Sequence, residues 1–309
     1  MELHVREYRS SDLRRVVEIS KVAFPRELEA YGLDEESIGR QARLYGLVRL
    51  IQRLSGRFFF KLYVGEVGRE VVGTTALSRE GEAWYISMVM VAPEHQRRGY
   101  GRALVEAACA DAHSHGVRRA VLHVREDNAP AKNLYTSLGF ALFERELHFI
   151  REAERVEQDK LPPSYRLRRI GPFDRQALEI IDACREERSA AVYGRSYYPP
   201  LYLRLLFVLF RTQIIERYAI IMGEEWAGVY TFNFTSRKEA AHASIRLYHG
   251  HRGQGLERAL LARALAQAKA RGTPKLAVVA DEENEELVAA CEELGFTRPF
   301  TMEGMVREL

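Results

Sequence analysis

An internal repeat constrains the fold of this chain more than any other feature. The sequence reads QRRGYG over residues 96–101 and GHRGQG over residues 250–255. Downstream of each run, an asparagine stands 11 residues before the glycine of a Leu-Gly-Phe triplet, over residues 128–139 and 284–295. Self-similarity on this scale indicates a duplicated structural unit, and half of a 309-residue chain is long enough to form a domain. The sequence therefore predicts two copies of one domain.

The boundary between the copies is expected in a short charged segment. Residues 151–160 are rich in charge and lead into Leu161-Pro162-Pro163. Paired prolines stop both helices and central strands. The predicted organisation is a first domain at 1–152, a linker at 153–162 and a second domain at 163–309.

Composition excludes several classes of protein. Lys plus Arg total 46 against 43 Asp plus Glu, a net charge of +3 that is too small to predict general binding to nucleic acid or to a membrane surface. Cys109, Cys184 and Cys291 are widely separated, which predicts neither a disulfide framework nor a metal site. The N-terminal residues lack a signal-peptide pattern, and the apolar run 201–215 is interrupted by arginines. A cytoplasmic protein is expected.

Periodicity and turn residues predict a mixed α/β order of elements that recurs in the second half. A helix C-terminus is expected at Gly116, because glycine readily adopts the left-handed conformation found there. The other limits follow from alternating or helical apolar spacing. The predicted strands are 3–9, 58–66, 70–78, 83–91 and 120–124 with a strand pair over 140–150, and the predicted helices start at Ser11, capped by Ser10 or Ser11, and cover 38–54, 101–115 and 129–138.

The first glycine run has the composition of an anion-binding turn. A predicted strand ends at Val89-Met90-Val91, a basic turn with two glycines follows, and the turn begins a helix. Glycines let consecutive backbone N–H groups point inward, and the helix N-terminus adds partial positive charge. Arginine side chains can pair with phosphate oxygens. A phosphate-bearing ligand is expected here.

Three motifs together resemble the GNAT superfamily of acyl-CoA-dependent N-acyltransferases. They are the loop over 96–104, the Asn-Ala-Pro-Ala run from Asn128, and Leu134-Tyr135 leading to Gly139-Phe140. Both halves carry the resemblance, and the first is most similar to the ribosomal-protein and N-terminal alanine acetyltransferases. The implied fold is α/β: two tandem GNAT domains, each a mixed, mostly antiparallel twisted sheet flanked by helices.

The resemblance implies acetyl-CoA as cosubstrate and no metal. The loop would hold the coenzyme A pyrophosphate through backbone amides, the strand before it would present main-chain groups to the pantetheine arm, and an asparagine would bond the cofactor near its thiol arm. The residues so implied are Val89, Met90, Val91, Arg97, Arg98, Gly99, Tyr100, Gly101, Arg102 and Asn128.

Proton transfer has two candidate residues. The resemblance implies Tyr135 as the general acid, because a phenol can donate a proton to the leaving thiolate. At the strand position of His123, the similar alanine acetyltransferases have a glutamate, so this chain departs from their pattern. A neutral imidazole can relay a proton through water, and His123 can equally be a structural strand residue. Glu80, Glu82 and Tyr85 are alternatives, as is deprotonation without a dedicated side chain.

The second half keeps less of the pattern. Gly253, Gly255 and Asn284 remain, while both proton-transfer candidates are replaced. This predicts a degenerate domain that can still bind coenzyme A or a related anion but does not catalyse. Cys291 is interpreted as a small buried hydrophobe rather than as a nucleophile. In the loop, where Gly99 is paired with Gly253, Gln96 is replaced by Gly250; farther along, where Asn128 is paired with Asn284, His123 is replaced by Val279 and Tyr135 by Cys291.

Three hypotheses for function follow. The first is an N-acetyltransferase in which a primary amine, on a small molecule or a peptide, attacks acetyl-CoA directly in the first domain. The second is a non-catalytic acyl-CoA-binding regulatory protein. The third is a two-domain acyltransferase acting on a small cysteine-containing metabolite. Residues 24–54 are expected to form the acceptor wall, and the two copies to pack as a monomeric pseudo-dimer or to associate as a homodimer.

Overall fold

The chain forms two compact units. A computed structural model describes residues 2–56, 58, 60–154, 159–196 and 214–309, with backbone only for residues 38 and 40–44. The first unit comprises residues 1–29, 33–143 and 303–309, and the second comprises residues 30–32 and 144–302. No described helix is long and apolar enough to cross a bilayer.

A six-stranded sheet forms the centre of the first unit, in the order β1-β2-β3-β4-β5-β12. The first four strands pair antiparallel in sequence order, and β4 pairs parallel with β5. The strands are β1 His4–Glu7, β2 Phe60–Val67, β3 Glu70–Glu80, β4 Ala83–Val91, β5 Arg119–Arg125 and β12 Thr297–Glu308, the last belonging to this unit from Glu303 onward.

Helices cover both faces of this sheet. On one face α4 buries Val105, Ala108 and Ala112, residues at helical spacing, against Leu77 and Leu122 of the sheet. A separate cluster on α1 and α3 contains Val16, Ile19 and Tyr45. The helices are α1 Leu13–Ala23, α2 Pro25–Tyr31, α3 Glu35–Ser55, α4 Tyr100–Ser114 and α5 Ala129–Ser137.

The second unit repeats the architecture, with strand order β6-β11-β10-β9-β8-β7. β10 and β11 are parallel, and the other neighbours are antiparallel. The strands are β6 Ala141–Glu152, in this unit from Glu144 onward, β7 Tyr165–Ile170, β8 Ile214–Met222, β9 Glu225–Phe234, β10 Ala241–Leu247 and β11 Lys275–Asp281; the helices are α6 Arg175–Ala183, α7 Glu187–Tyr193, α8 Leu256–Arg271 and α9 Glu285–Glu293.

The two repeats exchange their last strands. Residues 303–309 come from the second repeat but lie in the first unit, where the Leu309 amide donates to the Arg118 carbonyl at 2.8 Å. Residues 144–152 come from the first repeat and pair with β11 of the second unit. The compact units therefore differ from the repeats at 1–152 and 163–309, and a fragment ending at residue 152 would lack the sixth strand, β12, of the first sheet.

The mixed, mostly antiparallel sheets flanked by helices are confirmed, and β4 has the predicted bounds. Three expectations were wrong in detail. A single strand, β6, replaces the predicted strand pair over 140–150, and the short helix α2 was not predicted. The N-cap of α1 is Asp12 rather than Ser10 or Ser11. The Asp12 carboxylate accepts a hydrogen bond from the Arg9 amide at 2.7 Å, which fixes the turn that leads into the helix. The predicted features over 197–213 lie outside the described residues.

Asp12 also forms a buried ion pair, and removing one of its two partners should destabilise the first unit. Its carboxylate accepts two hydrogen bonds from Arg6, at 2.8 and 2.9 Å, and is only 6% exposed. Burial alone would raise the pKa of Asp12, but the bonds from Arg6 and the Arg9 amide outweigh it and lower that pKa below its ordinary value. The ionised carboxyl therefore stabilises the fold above about pH 4, and this stability is lost as the pH falls through the lowered pKa.

We expect Asp12→Asn to lower the free energy of unfolding at neutral pH by about 3 kcal/mol, because it leaves part of a buried charge uncompensated. Denaturant unfolding measures the change, with the solvent-accessible Glu18→Gln as control. The difference from wild type should shrink as the pH is lowered below about 4. A variant as stable as wild type at neutral pH would show that the pair contributes little.

Candidate active site

A bulge in β4 shapes the candidate site of the first unit. Between two register pairs, Thr74 with Met90 and Ala76 with Ser87, β4 contains one residue more than β3. Met88 adopts a positive φ of 52° at this point, and the Thr74 hydroxyl donates to its carbonyl at 2.9 Å. An extra residue bends a strand and ends its regular pairing.

Beyond the bulge, β4 and β5 no longer pair. Their parallel register covers only Ala83–Ile86 against Arg119–Leu122. The β4 edge over 87–91 therefore presents backbone N–H and C=O groups that β5 does not bond. Unpaired strand edges bind extended ligands through main-chain hydrogen bonds. The gap opens toward the glycine loop that follows β4.

The glycine loop turns sharply into α4. Arg97 and Gly99 have positive φ angles of 58° and 82°, and Gly99 is the N-cap of α4. The side chain of Arg97 is exposed and has no partner among the described residues, whereas Arg98 donates to the Glu94 carbonyl at 3.1 Å and Arg102 donates to Ser137 at 2.7 Å. A helix N-terminus with a free arginine beside it is suited to phosphate.

Tyr135 lies on α5 in the core that includes α4 and β5. It is 6% exposed and packs edge-to-face on Phe140, with ring centroids 6.1 Å apart. Burial raises the pKa of Tyr135 to about 12, so the phenol stays protonated at physiological pH. Its hydroxyl has no hydrogen-bond partner within the described part of the chain. A protonated, uncommitted phenol can act as a proton donor.

His123 and Tyr85 lie together on the opposite face of the sheet. Tyr85 pairs in register with Val121, which places its side chain on the same face as His123, and their ring centroids are 5.5 Å apart. His123 is the β5 residue next beyond the last paired position. Glu80 and Glu82 flank the far end of β4, five or more residues from the bulge, or about 17 Å along a strand. This distance argues against either glutamate as the base.

Asn128 has a structural role that its sequence motif did not predict. It is the N-cap of α5, and its side-chain oxygen accepts a hydrogen bond from the Ala131 amide at 3.2 Å. Asn284 caps α9 in the same way through the Leu287 amide, also at 3.2 Å. Capping therefore explains why both repeats contain the asparagine.

The glycine loops of the two units correspond differently from the expected alignment. Gly255, not Gly253, is the N-cap of its helix, with a φ of 81° against 82° at Gly99. Gly253 has a φ of 69° and occupies the position of Arg97. When the two caps, Gly99 and Gly255, are aligned, the pairing of the loops shifts by two residues. Gln96 then corresponds to Arg252 rather than to Gly250, and Gly101 corresponds to Glu257.

The second unit lacks two further features of the site. β10 pairs with β9 without any register shift from His242 to Leu247, so the bulge is absent. Cys291 occupies the position of Tyr135, is fully buried, and has its pKa raised to about 12 by burial. Such a thiol is not ionised at physiological pH and is a poor nucleophile.

Comparison with known proteins assigns this geometry to a family. The model of the acetyltransferase (GNAT) family matches the chain twice, over residues 15–140 and 181–296. The chain belongs to the GNAT family. Its two matches show that it is a tandem GNAT protein, as the repeat predicted, and each contains one of the glycine loops described above.

Curated GNAT relatives match only over short segments. A [ribosomal protein bS18]-alanine N-acetyltransferase of Escherichia coli is 46% identical over 52 residues, which is 17% of this chain and 35% of the relative. A mycothiol acetyltransferase of Catenulispora acidiphila is 36% identical over 61 residues, 20% of this chain and 19% of the relative. The matches thus span about a fifth to a third of these proteins.

Two solved acetyltransferase structures match nearly the whole chain at low identity. A tandem GNAT protein from the clavulanic acid biosynthesis pathway has a TM-score of 0.62 at 18% identity, covering 99% of this chain and 98% of that one. A GCN5-related N-acetyltransferase from Sphaerobacter thermophilus has a TM-score of 0.67 at 13% identity, covering 99% and 95%. At these identities the likeness shows the fold.

Proposed function

We propose that the first unit is an acetyl-CoA-dependent N-acetyltransferase that acts on a primary amine of a small molecule or a peptide. The observation that carries the proposal is the strand edge over 87–91, which β5 does not pair and which leads directly into the phosphate-type loop. The residues of this region fit coenzyme A, which combines an anionic pyrophosphate with an amide-containing arm.

The cofactor would be held by backbone more than by side chains. The loop amides from Arg97 to Arg102 would bind the pyrophosphate, with the free Arg97 guanidinium adding charge. Val89, Met90 and Val91 would bond the arm along the open strand edge. The Asn128 oxygen is used by the helix cap, so its contact with the cofactor would come from the amide nitrogen. Acetyl-CoA would supply an activated thioester carbonyl.

The chain's own side chains would move the protons. His123, with Tyr85 beside it, would accept the proton that the acceptor nitrogen loses, directly or through water, as the C–N bond forms. Tyr135 would protonate the sulfur as the C–S bond breaks. The acceptor would approach from the face of the sheet that carries His123, opposite the core that contains Tyr135.

Turnover with amines and its pH dependence test the proposal together. Purified protein with acetyl-CoA and a panel of primary amines and peptides should release free thiol and acetylated amine in equal amounts. Because the pKa of Tyr135 is about 12, kcat should show no loss on the alkaline side up to about pH 10. Saturable acetyl-CoA binding without turnover on any acceptor would instead support a binding protein.

A further inference from the structure

The second glycine loop has the backbone of an anion site but an unusual side chain inside it. Its cap, Gly255, and the residue two positions before it, Gly253, have positive φ angles like those of Gly99 and Arg97 in the first loop. At the second residue of the helix, the first unit has Gly101, whereas the second has Glu257. A glycine there leaves the N-terminus of the helix open, and a glutamate can turn back into it.

Glu257 does turn back into the loop. Its side chain is buried, with the residue 3% exposed, and its carboxylate accepts a hydrogen bond from the Gly253 amide at 3.1 Å. This N–H belongs to the loop that would otherwise face a phosphate. The positive end of the 16-residue helix α8 also stabilises a carboxylate at this point. The protein thus supplies its own anion to the second loop.

The other polar side chains of this loop also have hydrogen-bond or ion-pair partners within the protein. Arg252, whose side chain is 4% exposed, pairs with Glu186 at 2.7 Å. Gln254 accepts a hydrogen bond from the Tyr165 hydroxyl at 2.6 Å. Arg258 pairs with Asp159 at 2.6 Å. None of the three is comparable to the free Arg97 of the first loop.

We propose that Glu257 is a built-in anion that closes the second loop to phosphate, so that the chain holds one coenzyme A rather than two. The strand edge does not distinguish the two units, because β10 pairs with β11 only over Ala241–Ala243 and its residues 244–247 are not bonded by β11. Removing the carboxylate should uncover an anion site that takes inorganic pyrophosphate. The closure of the second loop follows from the position of Glu257 alone, whereas the number of coenzyme A molecules per chain rests on the proposed function.

Pyrophosphate titration tests the closed loop directly. We would disable the first loop with Gly99→Val and add Glu257→Gly, which copies the first loop's residue. Calorimetry should show at least about a tenfold tighter binding of pyrophosphate than with Gly99→Val alone. The matched control is Glu286→Gly, which removes an exposed carboxylate next to Gly253. Equal binding by the Glu257 and Glu286 variants would overturn the proposal, as would tight binding with Gly99→Val alone.

Glu257→Gln controls for a folding defect in the Glu257→Gly variant, because glutamine lacks the negative charge of glutamate but has nearly the same shape. It should show the same gain in pyrophosphate binding with an unchanged melting temperature. If it binds no better than the Glu286 control, the carboxylate is not what closes the loop.

The reciprocal change transfers the carboxylate to the first loop. A Cβ at Gly101 would lie 3.3 Å from the flexible end of Leu134, and the residue has no positive φ, so a side chain fits there. Gly101→Glu should weaken acetyl-CoA binding about 100-fold, and Gly101→Gln much less. Equal effects of the two would indicate steric blocking and contradict an electrostatic closure. Absence of acetyl-CoA binding by the wild type would refute the proposed function, while the pyrophosphate experiment would still decide the role of Glu257.

Discussion

Replacing Tyr135 by phenylalanine is expected to lower kcat by about 100-fold or more, the usual contribution of a positioned general acid. The phenyl ring keeps the packing against Phe140 and the surrounding core, so only the hydroxyl is lost. The affinity for acetyl-CoA should not change, because the hydroxyl acts at the sulfur only as the C–S bond breaks. Steady-state kinetics with a saturating amine, together with calorimetry, separates the two effects.

Tyr218→Phe is the matched control for this experiment. Tyr218 lies on β8 of the second unit, where its hydroxyl donates to Glu216 at 3.2 Å. Its loss should leave kcat close to the wild-type value. If Tyr135→Phe also retains kcat within about two-fold, proton donation to sulfur does not come from Tyr135.

Deleting Met88 is expected to weaken acetyl-CoA binding by about 100-fold, equivalent to two or three backbone hydrogen bonds. The deletion gives β4 the regular pairing with β3 that β10 has with β9, so the extra main-chain groups of the bulge would no longer be available to the cofactor's arm. The residues before and after it keep their partners on β3. Calorimetry with acetyl-CoA measures the loss.

Met88→Gly is the appropriate comparison because it keeps the extra residue and tolerates the positive φ of 52°. It should lose much less affinity than the deletion, and thermal melting should show both variants folded. Equal affinities for the deletion and the wild type would mean that the cofactor does not use this edge.

The repeat and the bounds of β4 could be predicted because their signals are local. Turn residues at Gly81 and Pro93 bracket the apolar run of β4, and the glycine loop carries a recognisable pattern. The bulge could not be predicted in the same way. Met88 adopts a positive φ without being a glycine, directly after Ser87 in an otherwise apolar run, and only the register with β3 reveals the bulge.

Other features were missed because they depend on contacts distant in sequence. The exchange of residues 144–152 and 303–309 between the units depends on which strands meet, which periodicity does not encode. The loop alignment failed because glycines were matched by identity, whereas Gly255 is recognised as the cap only by its φ and by the start of α8. That error concealed the correspondence between Gly101 and Glu257.

Acetyl-CoA titration of two matched variants tests the central claim that the first unit alone holds the cofactor. Gly99 and Gly255 cap equivalent helices with the same φ, so replacing either by valine imposes the same backbone strain in one loop. The account predicts one site per chain in the wild type, its loss in Gly99→Val and its retention in Gly255→Val. Binding that survives in Gly99→Val and disappears in Gly255→Val would contradict it.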